Sequence, residues 1–248
     1  MKSLLIFVHY SKSSTIPKEV KKYVNELVPF FSETIVATNF KGKGGENVKV
    51  KTFKNEGYDF GLFYRALQTI NIEEYDRIGF VNDSNVVVGS FKEIFKWGNT
   101  NNCGMWGVTD SLECPPGLKG QKTYHIQSHF LMLEKKALNH LHSFFKHINF
   151  KKYLTASNNR LRVQIINNCE IGLSQYMIKK GVSLGSYFSV KNKRAPGTSF
   201  LNYHQNVHVY KWEELIKGGY PLMKRKLIEG SWKFVPNWKS CYRYHQKI

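Results

Sequence analysis

VKVKTFKNEGYDFGLFYRAL, residues 48–67, is the stretch whose reading decides the fold. Val48-Lys49-Val50-Lys51-Thr52-Phe53 alternates apolar and polar side chains, the period-2 signature of a strand. Leu62-Phe63-Tyr64-Arg65-Ala66-Leu67 opens a helix that carries Leu62, Ala66, Leu67 and Ile70 on one side. Between them, Lys54-Asn55-Glu56-Gly57-Tyr58-Asp59-Phe60-Gly61 places two glycines, an Asn and an Asp at the junction. Gly57 suits a left-handed turn position, and Gly61 lets the helix start approach a neighbour closely. A plain turn and a ligand site share this chemistry, so the surrounding elements must decide.

Upstream, Ser3 to His9 is a short apolar run closed by the polar turn Ser11-Lys12-Ser13-Ser14, which reads as a buried strand. Pro17 opens a helix with Val20, Val24, Leu27 and Val28 at helical spacing. Thr34–Thr38 is a second strand, Lys41–Gly45 a loop, and Arg77–Val81 a fourth strand. The order β-α-β-loop-β-α-β argues a mostly parallel sheet flanked by helices. Such sheets bind ligands at the carboxyl ends of their strands, which is where the 54–61 turn falls. Further on, Cys103–Thr109 and Thr123–Leu133 read as strands, and Leu138–Lys146 and Ile171–Lys180 as helices. The expectation is one α/β domain over residues 1–248, with a ligand-binding half at 1–100 and a second half at 101–248 that ends in a basic segment.

The chain has 37 Lys and Arg against 18 Asp and Glu, a formal charge of +19, with 42% hydrophobic and 15% aromatic residues. That composition supports a globular core and excludes a disordered chain. The charge implies an anionic partner: nucleic acid, a membrane surface or a phosphorylated substrate. Lys191-Asn192-Lys193-Arg194 is either part of such a surface or a solvated loop. Trp232-Lys233-Phe234-Val235-Pro236-Asn237-Trp238-Lys239 interleaves aromatics with lysine and motivates a nucleic-acid-binding module as the alternative function. The cysteines, at 103, 114, 169 and 241, form no C-x-x-C pair, which removes zinc-ribbon and thioredoxin readings. No run approaches the ~18 apolar residues of a membrane span, so the expectation is a cytoplasmic protein, at most peripheral on a membrane's cytoplasmic face.

Three clusters carry candidate chemistry. The fourth strand runs into Asn82-Asp83-Ser84, which reads as a turn or as a cation and phosphate site. Glu170 stands before the apparent helix start at Ile171, as a residue favoured by the helix dipole or as a general base. His208, followed by Lys224, Arg225 and Lys226, suits a phosphate-covering segment or a basic tail. The G-x-S-x-G, G-x-G-x-x-G and G-x-x-x-x-G-K-[ST] motifs are absent.

In order and spacing, these pieces resemble the rhamnan-synthesis protein F family of glycosyltransferases. The resemblance runs over roughly residues 4 to 228. It is carried by His9-Tyr10, Asn55-x-Gly57-x-Asp59-x-Gly61, Asn82-Asp83-Ser84, Trp106-Gly107-Val108-Thr109-Asp110-Ser111 and His125-Ile126-Gln127-Ser128-x-Phe130-Leu131. Glu170-Ile171-Gly172-Leu173-Ser174 and Trp212-x-x-Leu215-Ile216-x-x-Gly219-x-Pro221-Leu222-x-Lys224 complete it.

The resemblance implies a GT-A-like, Rossmann-related fold and an inverting transferase. Its donor would be a nucleotide-sugar, dTDP-rhamnose or a UDP-sugar such as UDP-xylose, and its acceptor a glycan or lipid-linked saccharide. It implies donor contacts from His9, Asn55, Gly57, Asp59, Arg65, Asn82, Asp83, Ser84, Lys224 and Arg225. Catalytic roles would fall to Glu170, as base, and Asp110, and acceptor contacts to His125, Gln127 and Ser128. A divalent metal, Mn or Mg, would sit on Asp83 and His208. Two departures stand out: the acidic motif has one aspartate, in Asn82-Asp83-Ser84, and Tyr58 replaces an Arg that relatives carry before the Asp.

Overall fold

The computed structural model describes residues 1–11, 15–45, 47–115, 117–156, 158–191 and 207–229. Lys193, Arg194 and the Trp232–Lys239 segment lie outside the described residues.

Strand β1 (Ser3–His9) is followed by helix α1 (Lys18–Leu27), then β2 (Glu33–Thr38), β3 (Val48–Thr52), α2 (Tyr58–Leu67) and β4 (Arg77–Asn82). These four strands are mutually parallel in the order β3-β2-β1-β4. β1 is buried along its whole length because its side chains serve two faces. Leu4, Ile6 and Val8 enter a core with Phe60, Phe63 and Ala66 of α2, while Leu5 and Phe7 enter another with Val20, Tyr23, Val24 and Leu27 of α1. Full burial of one such Leu or Phe is worth roughly 1.5–3 kcal/mol, so layers on both faces hold this strand at the centre. The expected helical face of α1 is observed, with Val20, Val24 and Leu27 all buried.

The second half extends the same sheet. β5 (Asn85–Val87) leaves the β4 turn and α3 (Lys92–Thr100) follows, then β6 (Met105–Ser111), β7 (His125–Ile126) and β8 (Phe130–Glu134). β8 lies between β4 and β6 and is antiparallel to both. Next come α4 (Lys135–His147), α5 (Asn159–Ile165), α6 (Gly172–Lys179) and β9 (Leu184–Phe188), which runs parallel to β6. The described chain ends with α7 (Val207–Tyr210), α8 (Trp212–Lys217), β10 (Leu222–Lys224) and α9 (Arg225–Ile228). β10 pairs antiparallel with β5.

Several expected elements are corrected. The single strand over 123–133 is two strands about a turn: Gln127 N–H donates to Thr109 O, Phe130 N–H to Gln127 O, and β7 reaches only the end of β6. α2 stops at Leu67, before Ile70, where Ile70 N–H returns to Leu67 O in a closing turn. The strand expected from Cys103 begins at Met105, because Gly104 N–H turns aside to Ser183. The helix expected from Ile171 is the last part of a longer helical run that starts at Asn159 and passes through a π-helical stretch, Ile166–Ile171. Among the described residues, no helix is long and apolar enough to cross a membrane.

Candidate functional site at the carboxyl edge of the sheet

The carboxyl ends of β1, β2, β3 and β4 share one edge, and strand directions bring the end of β6, the start of β8 and the end of β9 to it as well. His9, Asn82, Asp110, Ser128 and Ser189 therefore line one edge of the sheet although they come from distant parts of the sequence.

The 54–61 turn is built as its glycines require. Gly57 has φ +74°, and a Cβ there would lie 3.1 Å from Tyr153 O. Gly61 is the tighter position: a Cβ would fall 1.7 Å from Glu56 O. The turn holds α2 with its first residues beside β4, so that Asn82 Nδ2 donates to Asp59 Oδ2 over 2.6 Å. Tyr58, itself at φ +52°, sends its hydroxyl to Asn158 O over 2.9 Å. Arg65 pairs with Glu56 at 2.5 Å, bracing the turn from behind. Asn55 is half-buried in the same turn.

The Asn82-Asp83-Ser84 turn is fully engaged. Asp83 Oδ2 lies 2.5 Å from His9 Nδ1. Ser84 N–H donates to Asn82 Oδ1 over 3.1 Å. From the other side, Arg225 N–H donates to Ser84 O, and Arg225 Nε–H to Asp83 O, each at 3.0 Å. Lys224 Nζ reaches Ser84 Oγ at 3.4 Å.

Around Lys224 stand several acids. Asp59 is raised to about 7, by burial first and then by the charges of Asp83 and Glu170, with Lys224 opposing. Burial lowers Lys224 to about 8, against the pull of Glu170 and Asp59. Glu113 is raised by burial and by Glu170, against His125 and Lys224. The sequence reading missed Glu113, although its position just past β6, at the edge where α/β sheets hold ligands, is a usable signal.

Glu170 does not sit at a helix N-terminus. It lies in the π-helical stretch, where Oε1 accepts the Ser128 N–H over 2.8 Å. A π turn shifts the following residues around the helix axis and is frequent at functional sites.

The remaining expected residues fall elsewhere in the network. Asp110 is almost wholly buried and accepts from Tyr124 Oη–H at 3.0 Å, Ser189 Oγ–H at 2.5 Å and Val190 N–H at 2.6 Å. It ties β6 to the chain leaving β9, and burial raises its pKa against those donors. His125 is buried, with Nδ1 2.7 Å from Thr123 O. Gln127 Oε1 accepts from Thr109 Oγ1–H at 2.8 Å and from His208 Nε2–H. His208 is also 2.8 Å from Thr109 Oγ1, and its ring packs edge-on against His129. These contacts join β6, the turn between β7 and β8, and α7 in the interior and leave His125 and Gln127 little surface to offer an acceptor.

The expected metal pair does not fit. Among the described residues no three His, Cys, Asp or Glu side chains gather in a set that could hold a metal ion. Asp83 is engaged by His9 and His208 by Thr109 and Gln127. A divalent cation of the Mg or Mn type takes about six ligands, chiefly oxygen, whereas Asp83, the one carboxylate within this turn, is held by His9, and the neighbouring Asp59 carboxylate is held by Asn82.

A groove of about 300 Å³ between α2 and α4 is a poor competitor for the site. Its lining, including Tyr64, Leu67, Phe145 and Lys151, sits towards the far end of α2 from Gly57 and contains no acid.

The chain is 26% identical over 201 residues to Virulence protein VirA of Vibrio anguillarum, covering 71% of this chain and 60% of that protein. It thus spans about 60% of the length of the curated relatives it matches. Among solved structures it is similar to the galactosyltransferase LgtC in complex with donor and acceptor sugar analogues, at TM-score 0.42 and 14% identity, over 65% of this chain and 69% of that one. It is also similar to 4-diphosphocytidyl-2C-methyl-D-erythritol synthase of Anaerococcus prevotii, at TM-score 0.40 and 9% identity, over 68% and 85%. Residues 48–236 match the rhamnan synthesis protein F model, a span reaching from β3 past α9, and the chain belongs to that family.

Proposed function

We propose that this chain is an inverting glycosyltransferase that moves a sugar from a nucleotide-sugar to a hydroxyl of a glycan or lipid-linked saccharide. The observation that carries the reading is the meeting of Asp59, Asp83, Glu170 and Lys224 around one turn at the carboxyl edge, in a member of this family. The nucleoside lies against the 55–59 turn, where Gly57 and Gly61 bring backbone close. The diphosphate lies at Ser84, Lys224 and Arg225. Ser128 N–H fixes one oxygen of Glu170 and leaves the other to take the acceptor proton, a contribution on the order of 10²–10⁴-fold. Attack from the face opposite the leaving diphosphate inverts the anomeric carbon.

Asp110 acts in this scheme through position only. It holds Ser189 and Val190, and with them the strand end that borders the cleft. dTDP-rhamnose and UDP-sugars such as UDP-xylose are the donors to try first, and the +19 charge suits a phosphorylated donor and an anionic lipid-linked acceptor at a membrane surface. The test is transfer and donor hydrolysis with a panel of UDP-, GDP- and dTDP-sugars, comparing wild type with Glu170→Gln. Turnover of one donor by wild type and its loss in the variant are expected. Turnover of none, or a variant as fast as wild type, overturns the assignment.

A further inference from the structure

We infer that the positive charge facing the donor's diphosphate is supplied by Lys224 and Arg225 of this chain, in place of a bound divalent cation. The inference rests on the nucleotide-sugar reading above and goes further, by naming what neutralises the leaving group.

The first support is an inventory of acceptors at the 82–84 turn. Four oxygens of this turn that an incoming cation would compete for already have donors. Asp83 Oδ2 has His9, the Asp83 carbonyl has Arg225 Nε, the Ser84 hydroxyl has Lys224 and Asn82 Oδ1 has Ser84 N–H, which leaves Asp83 Oδ1, one carboxylate oxygen, to a cation that needs about six ligands. Two of the four donors are the cationic side chains of consecutive residues, Lys224 and Arg225.

The second support is how firmly these cations are held. β10 pairs with β5 in the register Leu222↔Val87, Met223↔Val86 and Lys224↔Asn85, so Lys224 stands opposite the residue that follows Ser84. Arg225 N–H to Ser84 O continues the ladder by one more bond. Behind it, Met223 and Leu227 bury against Val86 and Trp212 in a small core of their own. A charge fixed this way needs little reorganisation when the leaving group develops its own, which is the condition for effective electrostatic stabilisation.

The third support is an unmet donor. Arg225 Nη2 is buried and has no hydrogen-bond partner among the described residues. Buried donors of this kind are nearly always satisfied, and a phosphate oxygen is the acceptor that guanidinium geometry matches best.

In the reaction, the bond from the anomeric carbon to the phosphate oxygen breaks and its electron pair leaves on that oxygen. The acceptor oxygen forms the new bond to the anomeric carbon, and its proton passes to Glu170. The diphosphate gains one negative charge, which Lys224 and Arg225 meet directly.

Calorimetric titration of UDP, GDP and dTDP into the full chain, in EDTA and then with excess Mn²⁺ or Mg²⁺, tests this. One diphosphate is expected to bind in EDTA, and metal should change its Kd by no more than about twofold. Lys224→Met should weaken binding about tenfold or more, with Lys224→Arg retaining most of it. Binding that requires metal, or tightens about tenfold with it, overturns the inference while the transferase reading stands. Unaltered binding by a folded Lys224→Met chain also overturns it. If none of the three diphosphates binds with or without metal, the inference and the reading beneath it fall together. Lys224→Met removes the counter-charge of several acids and can unfold the chain, so the wild-type metal comparison decides the matter by itself.

Discussion

Asp110 and Glu170 stand on the same edge of one sheet, and their surroundings differ in the way that separates a structural acid from a reactive one. Asp110 accepts from three donors on its two oxygens and has almost no exposure, so it is held on every side. Glu170 has one backbone donor on one oxygen, and Asp59, Glu113 and Lys224 lie within electrostatic reach of it. An aspartate saturated by donors stabilises a corner; a glutamate with one oxygen unbound beside a lysine is the acid to which the proposed base role falls. The motif that brought Asp110 to notice, Gly107-Val108-Thr109-Asp110-Ser111, therefore reports on the architecture of the cleft more than on its chemistry.

The contrast is open to direct attack. Glu170→Gln keeps a carbonyl oxygen for Ser128 N–H, so stability should change by less than about 1 kcal/mol while transfer falls on the order of 10²–10⁴-fold. The same chain in a denaturant titration and in a transfer assay measures both effects. Asp110→Ala reverses the pattern. Three donors lose their acceptor inside the protein, and unfolding free energy should drop by about 3 kcal/mol, visible as a shifted urea midpoint with unchanged slope. If Asp110→Ala left stability intact and abolished transfer, the division between the two corners would be wrong.

Gly61→Ala probes the turn that joins both regions. The added methyl would meet the Glu56 carbonyl at 1.7 Å, so the start of α2 must shift, at a cost of about 2 kcal/mol and with weaker nucleotide binding. Gly57→Ala should cost less, about 1–2 kcal/mol, because it pays mainly for a left-handed backbone. Thermal melts of the two variants rank them.

The most gradual effect concerns pH. Burial holds both His129 and His208 well below the usual histidine value, with His208 and Lys224 adding to the effect at His129 and Lys224 at His208. Their folded pKa values are depressed, so the unfolded chain binds the extra protons. The stability they contribute is present above about pH 6.5 and is lost as pH falls below it, at about 1.4 kcal/mol per pH unit for each imidazole. Unfolding free energies at pH 7.5, 6 and 5 should decline accordingly, and His129→Gln should flatten the slope.

How much of this was legible beforehand follows from the kind of signal each element carries. β1, β2 and β4 announced themselves as apolar runs because each is buried on both faces, and the turn at 54–61 announced itself because only glycine fits at two of its positions. β5 and β10 were not legible: each has three residues, and what makes them strands is pairing with each other across most of the chain. The continuity of α5 into α6 was hidden too. Its true start is marked by Asn158, whose side chain accepts the Leu161 N–H, while the Glu170-Ile171-Gly172 sequence mimics a helix opening. At the site, Asp83, Glu170, Lys224 and Arg225 were legible by type and order. The engagement of His208 and Gln127 with Thr109 was not, because three buried polar groups from β6, the β7–β8 turn and α7 meet only in three dimensions.

In the proposed function a nucleoside diphosphate binds where the 55–59 turn faces Ser84, Lys224 and Arg225. A crystal structure of the full chain soaked with the diphosphate selected by titration tests this most directly. Phosphate density is expected within hydrogen-bond distance of Lys224 and Arg225, with the base beside Gly57. Density confined to another surface, such as the groove between α2 and α4, would contradict it.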